Sequence, residues 1–190
     1  HRRRHSFPTR RSSDLAAKAT QLDELAQGFA QKLRHICRAD ASAVRWSDED
    51  NDRYVLLAHD NLPPIIAVGE SCLDTSHCFC GPAREEANTR VIPILSSTPS
   101  PLGHCNRAGY ATVVSVPIKL NDRLMGEVDL FFRKSVVLGE EERSMLDTLA
   151  SHLAGAMEAL RAAALSREAA VAQERSMIAR ELHDSIAQSL

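Results

Sequence analysis

Residues 174–190 read ERSMIARELHDSIAQSL, and the pair His183-Asp184 within them has the types and spacing for phosphoryl chemistry. A neutral imidazole is a good nucleophile near neutral pH and suits acceptance of a phosphoryl group. An adjacent carboxylate, here Asp184, can orient the ring and take its proton as the new bond forms. Gln188 follows four residues after Asp184 and five after His183; a neutral amide there can hold a water without itself attacking. Taken alone, the pair reads as a solvated helix histidine beside an ordinary surface carboxylate; the Arg180-Glu181-Leu182 context and Gln188 reverse that reading.

A second concentration of reactive side chains lies mid-chain. Cys72, Cys78, Cys80 and Cys105 fall in a loop-rich stretch, with His77 and His104 each just before a cysteine. Four thiolates and two imidazoles suffice for Zn²⁺ or an iron–sulfur cluster. The spacing, however, matches no common metal pattern, and Cys-x-Cys is poorer for tetrahedral coordination than Cys-x-x-Cys. A redox pair linking Cys78 or Cys80 to Cys72 or Cys105 is as open as a metal site, and plain packing of small apolar side chains is favoured over both. Cys37 belongs to a helix and reads as packing.

These groups need a scaffold, and the hydrophobic periodicity supplies one. Leu15, Ala19, Leu22, Leu25, Phe29, Leu33 and Ile36 recur at three and four, which predicts an amphipathic helix from Leu15 to Ala39. Ala41–Trp46 and Arg53–Ala58 flank the acidic turn SDEDND and read as a β-hairpin. Asn61-Leu-Pro-Pro breaks the chain, and Ile65–Val68 is a brief apolar stretch. Pro82–Asn88 suits a short helix, Val91–Leu95 a strand weakened by Pro93, Ser96–Pro101 a loop, and Leu102–Ala108 a helical turn. The strongest strands, Ala111–Leu120 and Leu124–Phe132, flank the polar turn Asn121-Asp-Arg. After Leu138-Gly139, the acidic run Glu140-Glu-Glu opens a helix with no breaker but Gly155 as far as Leu190. This order predicts an α+β domain, an antiparallel sheet covered by its terminal helices on one face.

At 1.5 Å per residue the last helix spans about 75 Å, far more than the domain beneath it. Val171, Ile178, Leu182, Ile186 and Leu190 form one apolar stripe along it. A helix this long needs a partner, and homodimerisation through a coiled coil or four-helix bundle is the economical answer. His183 lies about 100° around the helix from Leu182, at the edge of the stripe and within reach of solvent.

Composition sets the outer limits. The 190 residues are 44% hydrophobic, which excludes disorder throughout, and no apolar run approaches the roughly 18 residues of a membrane-spanning helix. Aromatics, at 4%, are too few for a base-stacking single-strand binder. An odd count of five cysteines in a chain of this length suits a reducing compartment rather than a disulfide scaffold. Residues 1–14 hold five arginines against the single acid Asp14, leaving −6 on the rest of a chain whose total is −2. Composition alone allows a transit peptide or a nucleic-acid arm there; the segment reads best as a non-native or disordered basic extension, outside the fold. The helix still running at Leu190, with no stop signal, makes the chain look truncated at both ends.

The string from Glu174 through Ile178-Ala179-Arg180-Glu181-Leu182-His183-Asp184 to Gln188-Ser189-Leu190 resembles the phosphoacceptor box of sensor histidine kinases with the HisKA_3 dimerisation domain. Residues 15–160 resemble a GAF domain, and the Cys-Phe-Cys-Gly run with the VPIKLNDRLMGEVDLFF hairpin is similar to cytoplasmic parts of nitrate/nitrite sensors of the NarX type. The resemblance implies three parts: the basic segment 1–14, a GAF-like sensory domain over 15–160, and a linker helix over 161–190 that begins the phosphoacceptor domain. It further implies His183 as phosphoacceptor, Asp184 as base or orienting carboxylate, and Gln188 as the residue that positions water for dephosphorylation of the partner. ATP and Mg²⁺ would be held by a following catalytic domain, since no Gly-rich phosphate cradle occurs in these residues. The implied partners are a second copy and a response regulator with a helix-turn-helix output; no direct nucleic-acid contact is implied. The piece would be the cytoplasmic part of a protein anchored in the bacterial inner membrane. The competing expectation is a non-enzymatic GAF module, sensing a ligand or redox state, whose last helix serves only to dimerise. A DNA-binding reading rests on the Arg-rich start alone.

Overall fold

The computed structural model describes residues 10–48, 53–69, 71–74, 88–94, 103–121 and 123–188. The elements run α1 (Arg10–Cys37), β1 (Ala41–Asp48), β2 (Arg53–Asp60), α2 (Pro64–Gly69), β3 (Cys72–Asp74), β4 (Arg90–Pro93), α3 (Gly103–Arg107), β5 (Thr112–Leu120), β6 (Arg123–Phe132) and α4 (Glu140–Gln188). The six strands form one antiparallel sheet in the order β3-β2-β1-β6-β5-β4. The α+β class, the first hairpin and the long β5–β6 hairpin are as the sequence predicts. Most of the acidic turn after β1, the helix expected over Pro82–Asn88 and the loop Ser96–Pro101 lie outside the described residues, Asn88 apart.

Helix α1 begins at Arg10, five residues before the predicted start and inside the basic segment. Once a helix is nucleated, extension through Arg-Arg-Ser-Ser-Asp carries little penalty, and the sequence holds no breaker after Pro8. It ends at Cys37 rather than Ala39, because Arg38 turns left-handed at φ 51°. The Ala39 amide then donates to the Arg34 carbonyl at 2.9 Å and closes the helix without a glycine. The stretch Ile65–Val68 is helical: Pro63 and Pro64 preset its first turn, and the Pro63 carbonyl accepts from the amides of Ile66 and Ala67. Pro93 sits in β4, at the edge of the sheet, where its missing N–H is tolerated. Pro117 lies beyond Ser115, the last β5 residue that β4 pairs.

The terminal helices cover one face of the sheet, as predicted, and two short helices cover the other. On the first, α1 and α4 close a cluster with Ala26, Ala30 and Leu33 from α1, Leu146, Ala150 and Leu153 from α4, and Val44, Val116, Val128 and Leu130 from the strands. Side chains such as Leu33, Leu146 and Leu153, all but fully buried, contribute roughly 1.5–3 kcal/mol each by leaving water. Ser42 ties the layers by donating its hydroxyl to the Ala30 carbonyl at 2.8 Å. On the opposite face α2 and α3 close a smaller cluster of Ala41, Ala43, Leu62, Ile66, Cys105, Tyr110, Val113 and Phe131. Of its two helices, α3 answers the helical turn expected over Leu102–Ala108, while α2, six residues long, is too short to show a period.

The acidic start of α4 behaves as expected: the Glu142 carboxylate accepts the Gly139 amide at 2.8 Å, the reciprocal arm of a capping box. No helix among the described residues is long and apolar enough to cross a membrane.

Candidate functional site

Helix α4 is continuous over 49 residues, and its two halves have different surroundings. Leu146, Ala150, Leu153, Ala154 and Met157 are each at most 2% exposed against the sheet and α1. From Leu165 to Ile186 every side chain is exposed. The apolar stripe read from the sequence is therefore bare: Val171 is 43% exposed, Ile178 49%, Leu182 60% and Ile186 62%.

His183 and Asp184 stand on this outrunning half, exposed, beside Leu182. Consecutive residues on an α-helix point about 100° apart. Accordingly, among the described residues no hydrogen bond or ion pair joins the imidazole to the Asp184 carboxylate. Gln188 is the last helical residue, one turn beyond Asp184 and about 140° around from His183. The His183 imidazole is reachable from solvent. An isolated helix offers no third group to fix the ring, so a nucleophile here depends on what packs against it.

The cysteines are distributed differently. Cys105, on α3, is 1% exposed and packed in the smaller cluster with Ala41, Ile66 and Phe131. Cys72 opens β3 in register with Val55. Cys78 and Cys80 lie outside the described residues. Among the described residues no group of three or more His, Cys, Asp or Glu side chains is placed to hold a metal ion. Cys37 packs half-buried against the larger cluster, as read; burial first, then the Glu142 carboxylate, push its thiol pKa up, the reverse of an activated cysteine.

The sequence reading missed a charged group inside the sheet. Arg45 on β1 and Glu127 and Asp129 on β6 are each at most 1% exposed. The Arg45 guanidinium donates from Nε to Asp129 Oδ2 at 2.9 Å and stands 4.0 Å from Glu127 Oε1. Ser115 on β5 donates to Glu127 Oε2 at 3.4 Å. Arg45 and Glu127 are direct cross-strand partners, and Glu127, Asp129 and Phe131 alternate onto one face, that of the α2–α3 layer. The available signal was two acids spaced by two in the otherwise apolar strand LMGEVDLFF. Ion pairs this deep are retained at a desolvation penalty, so the sheet has a charged patch beside its smaller apolar cluster.

Comparison with known proteins agrees with this architecture. The GAF domain family matches residues 21–157. Sensor histidine kinase YhcY of Bacillus subtilis (strain 168) is 28% identical over 150 residues, covering 75% of this chain and 39% of that protein. The chain thus spans about two-fifths of the length of this curated relative. The GAF domain of a phosphoenolpyruvate-protein phosphotransferase from Acinetobacter shares the fold at a TM-score of 0.62 and 19% identity, covering 83% of this chain and 98% of that one. A domain of a putative two-component sensor histidine kinase protein from Sinorhizobium meliloti 1021 does so at 0.64 and 15%, covering 76% and 96%. With its antiparallel sheet, its helical layers and the family match running from α1 to Met157 at the edge of the buried half of α4, the chain belongs to the GAF domain family.

Proposed function

We propose that this chain is the sensory head and the first part of the phosphoacceptor rod of a dimeric sensor histidine kinase. The observation that carries the reading is the single unbroken helix: α4 seals the domain core with its first half and presents a bare apolar stripe, with His183 at its edge, on its second. Homology to a sensor histidine kinase over 150 residues supports the same assignment. On this reading His183 is the phosphoacceptor of a HisKA_3-type dimerisation domain. The neutral imidazole nitrogen would bond to the γ-phosphorus of ATP as that phosphorus parts from the oxygen bridging to the β-phosphate and ADP leaves, and the ring gives up its N–H proton to a base, for which Asp184 is the nearest carboxylate in sequence. Gln188, one turn beyond Asp184, holds the water that hydrolyses the aspartyl phosphate of the partner. Phosphoryl passes from His183 to an aspartate of a response regulator, and the rods pair with those of a second copy.

These residues do not fit ATP and Mg²⁺. The sequence holds no Gly-rich phosphate cradle, so nucleotide binding belongs to a segment outside them. The nitrate/nitrite type and a membrane anchor upstream remain part of the same proposal, resting on the hairpin and Cys-Phe-Cys-Gly likeness. The alternative is a non-enzymatic GAF module, sensing a ligand or redox state, whose last helix only dimerises.

The test is to join the chain to a histidine-kinase catalytic domain and incubate the fusion with γ-labelled ATP. Acid-labile, base-stable label is expected in the parent and lost in His183→Gln. Label retained in that variant overturns the assignment, and a native reading frame with no nucleotide-binding lobe after Leu190 favours the sensing module.

A further inference from the structure

The two sides of β4 meet different parts of the head. Val91 packs toward the larger cluster under α1 and α4. Arg90 and Ile92 alternate to the other side, opposite Ser115 and Val113 of β5. Val113 belongs to the smaller cluster, and the Ser115 hydroxyl donates to Glu127 of the charged patch. Register then sets Arg90, Ser115 and Asp129 in one row across β4, β5 and β6.

Thr89, one residue before Arg90, is tied to α4 twice. Its hydroxyl donates to Asp147 Oδ1 at 2.5 Å, and its carbonyl accepts from Arg143 Nη1 at 2.7 Å. Thr89 itself is buried, but Asp147 is exposed. An open groove of about 530 Å³ runs beside the tie, lined by Asn88, Ser144, Thr148 and Ser151 as well as by the bonded groups. Water entering from the groove can take over both bonds, so tied and released states exchange one set of hydrogen bonds for another at small net cost. The strand is free to follow: β4 lies at an edge of the sheet and pairs with β5 over four residues only. Leu146 and Ala150 keep the inner side of α4 in the core in either state.

We propose that Thr89, Asp147 and Arg143 form a latch through which changes at the charged patch reach α4. A displacement at Ser115 or Arg90 drags the start of β4, breaks the two bonds and loosens the first turns of the helix. Because α4 is unbroken from Glu140 to Gln188, a shift at residues 143 and 147 moves an element that leaves the domain. The latch belongs to the head alone and stands whether or not His183 takes a phosphoryl group.

Amide hydrogen exchange of the full chain, read by mass spectrometry, tests it. Peptides covering residues 143–151 report α4 at the latch, and peptides covering 24–32 report α1 as the reference. Thr89→Val removes the hydroxyl bond at nearly the same size and should speed exchange over 143–151 about fivefold, with α1 unchanged. Thr89→Ser keeps a hydroxyl and should exchange at the parent rate. Transmission is read by Ser115→Ala on the other side of the sheet. It should speed exchange over 143–151 about threefold with Thr89 in place and add nothing in the Thr89→Val background. An α4 indifferent to Thr89→Val overturns the latch, and an α4 indifferent to Ser115→Ala overturns its coupling to the patch. Equal acceleration by Ser115→Ala in both backgrounds, or acceleration that α1 shares, marks general loosening of the head and overturns the proposal as well.

Discussion

Removal of Arg45 tests the charged patch in the sheet most directly. Its guanidinium lies 2.9 Å from Asp129 and 4.0 Å from Glu127, with side-chain exposures of 2%, 1% and 0% for the three. Arg45→Met keeps the length and apolar stem of the side chain but leaves two carboxylates facing each other inside the protein. Breaking a buried pair by deleting one partner is worth about 3–5 kcal/mol, most of it the uncompensated charge that remains. For a protein of this size that corresponds to a fall in Tm of about 10 °C. The companion variant Arg45→Met/Asp129→Leu replaces the tighter pair with apolar side chains and should regain part of the loss, the remainder staying with the Glu127 carboxylate that Arg45 also faced. Urea unfolding followed by circular dichroism, with calorimetry for Tm, reads both. A loss below about 1 kcal/mol in the single variant, or a double variant no more stable than the single, refutes the view that uncompensated charge dominates at this site.

Two smaller perturbations probe other features. A Cβ at Gly126 would run into the Arg45 carbonyl oxygen and stand 3.2 Å from Trp46 Cα, so Gly126→Ala should force β1 away from β6 and destabilise by about 3 kcal/mol in the same unfolding assay. The Cys37 thiol, raised by burial and then by Glu142, should react with a disulfide reagent more slowly than a free cysteine at mildly alkaline pH, with Glu142→Gln speeding it modestly. The sign of its linkage follows: the unfolded chain ionises Cys37 first, so this contribution to stability is present below the unfolded pKa and is lost as pH rises through the folded one.

Much of the architecture was legible in the residues themselves. Helices of 28 and 49 residues and strands of eight to ten carry several periods of their pattern, and Asn121, in the polar turn after β5, is left-handed at φ 49° as such a turn requires. The bare stripe on α4 was legible for the same reason, and so was the position of His183 at its edge. Short elements were legible in part. The helical turn of α3 was read over Leu102–Ala108, but in α2 the helical state is settled by Pro63 and Pro64 and by packing of Ile66 onto the sheet, neither of which leaves a periodic trace.

The sequence by itself determined the order of elements, the apolar faces of the long ones and the placement of a histidine and a carboxylate on a helix that outruns its domain. Those follow from local geometry, 3.6 residues per turn and two per pleat, which every residue obeys whatever lies nearby. Only the tertiary structure decided where α4 stops being buried, that the sheet has a second covered face, and that Arg45, Glu127 and Asp129 lie inside it. Burial is a property of what the rest of the chain brings alongside, and Arg45 and Asp129 are 84 residues apart in sequence before the register of β1 on β6 brings them into contact.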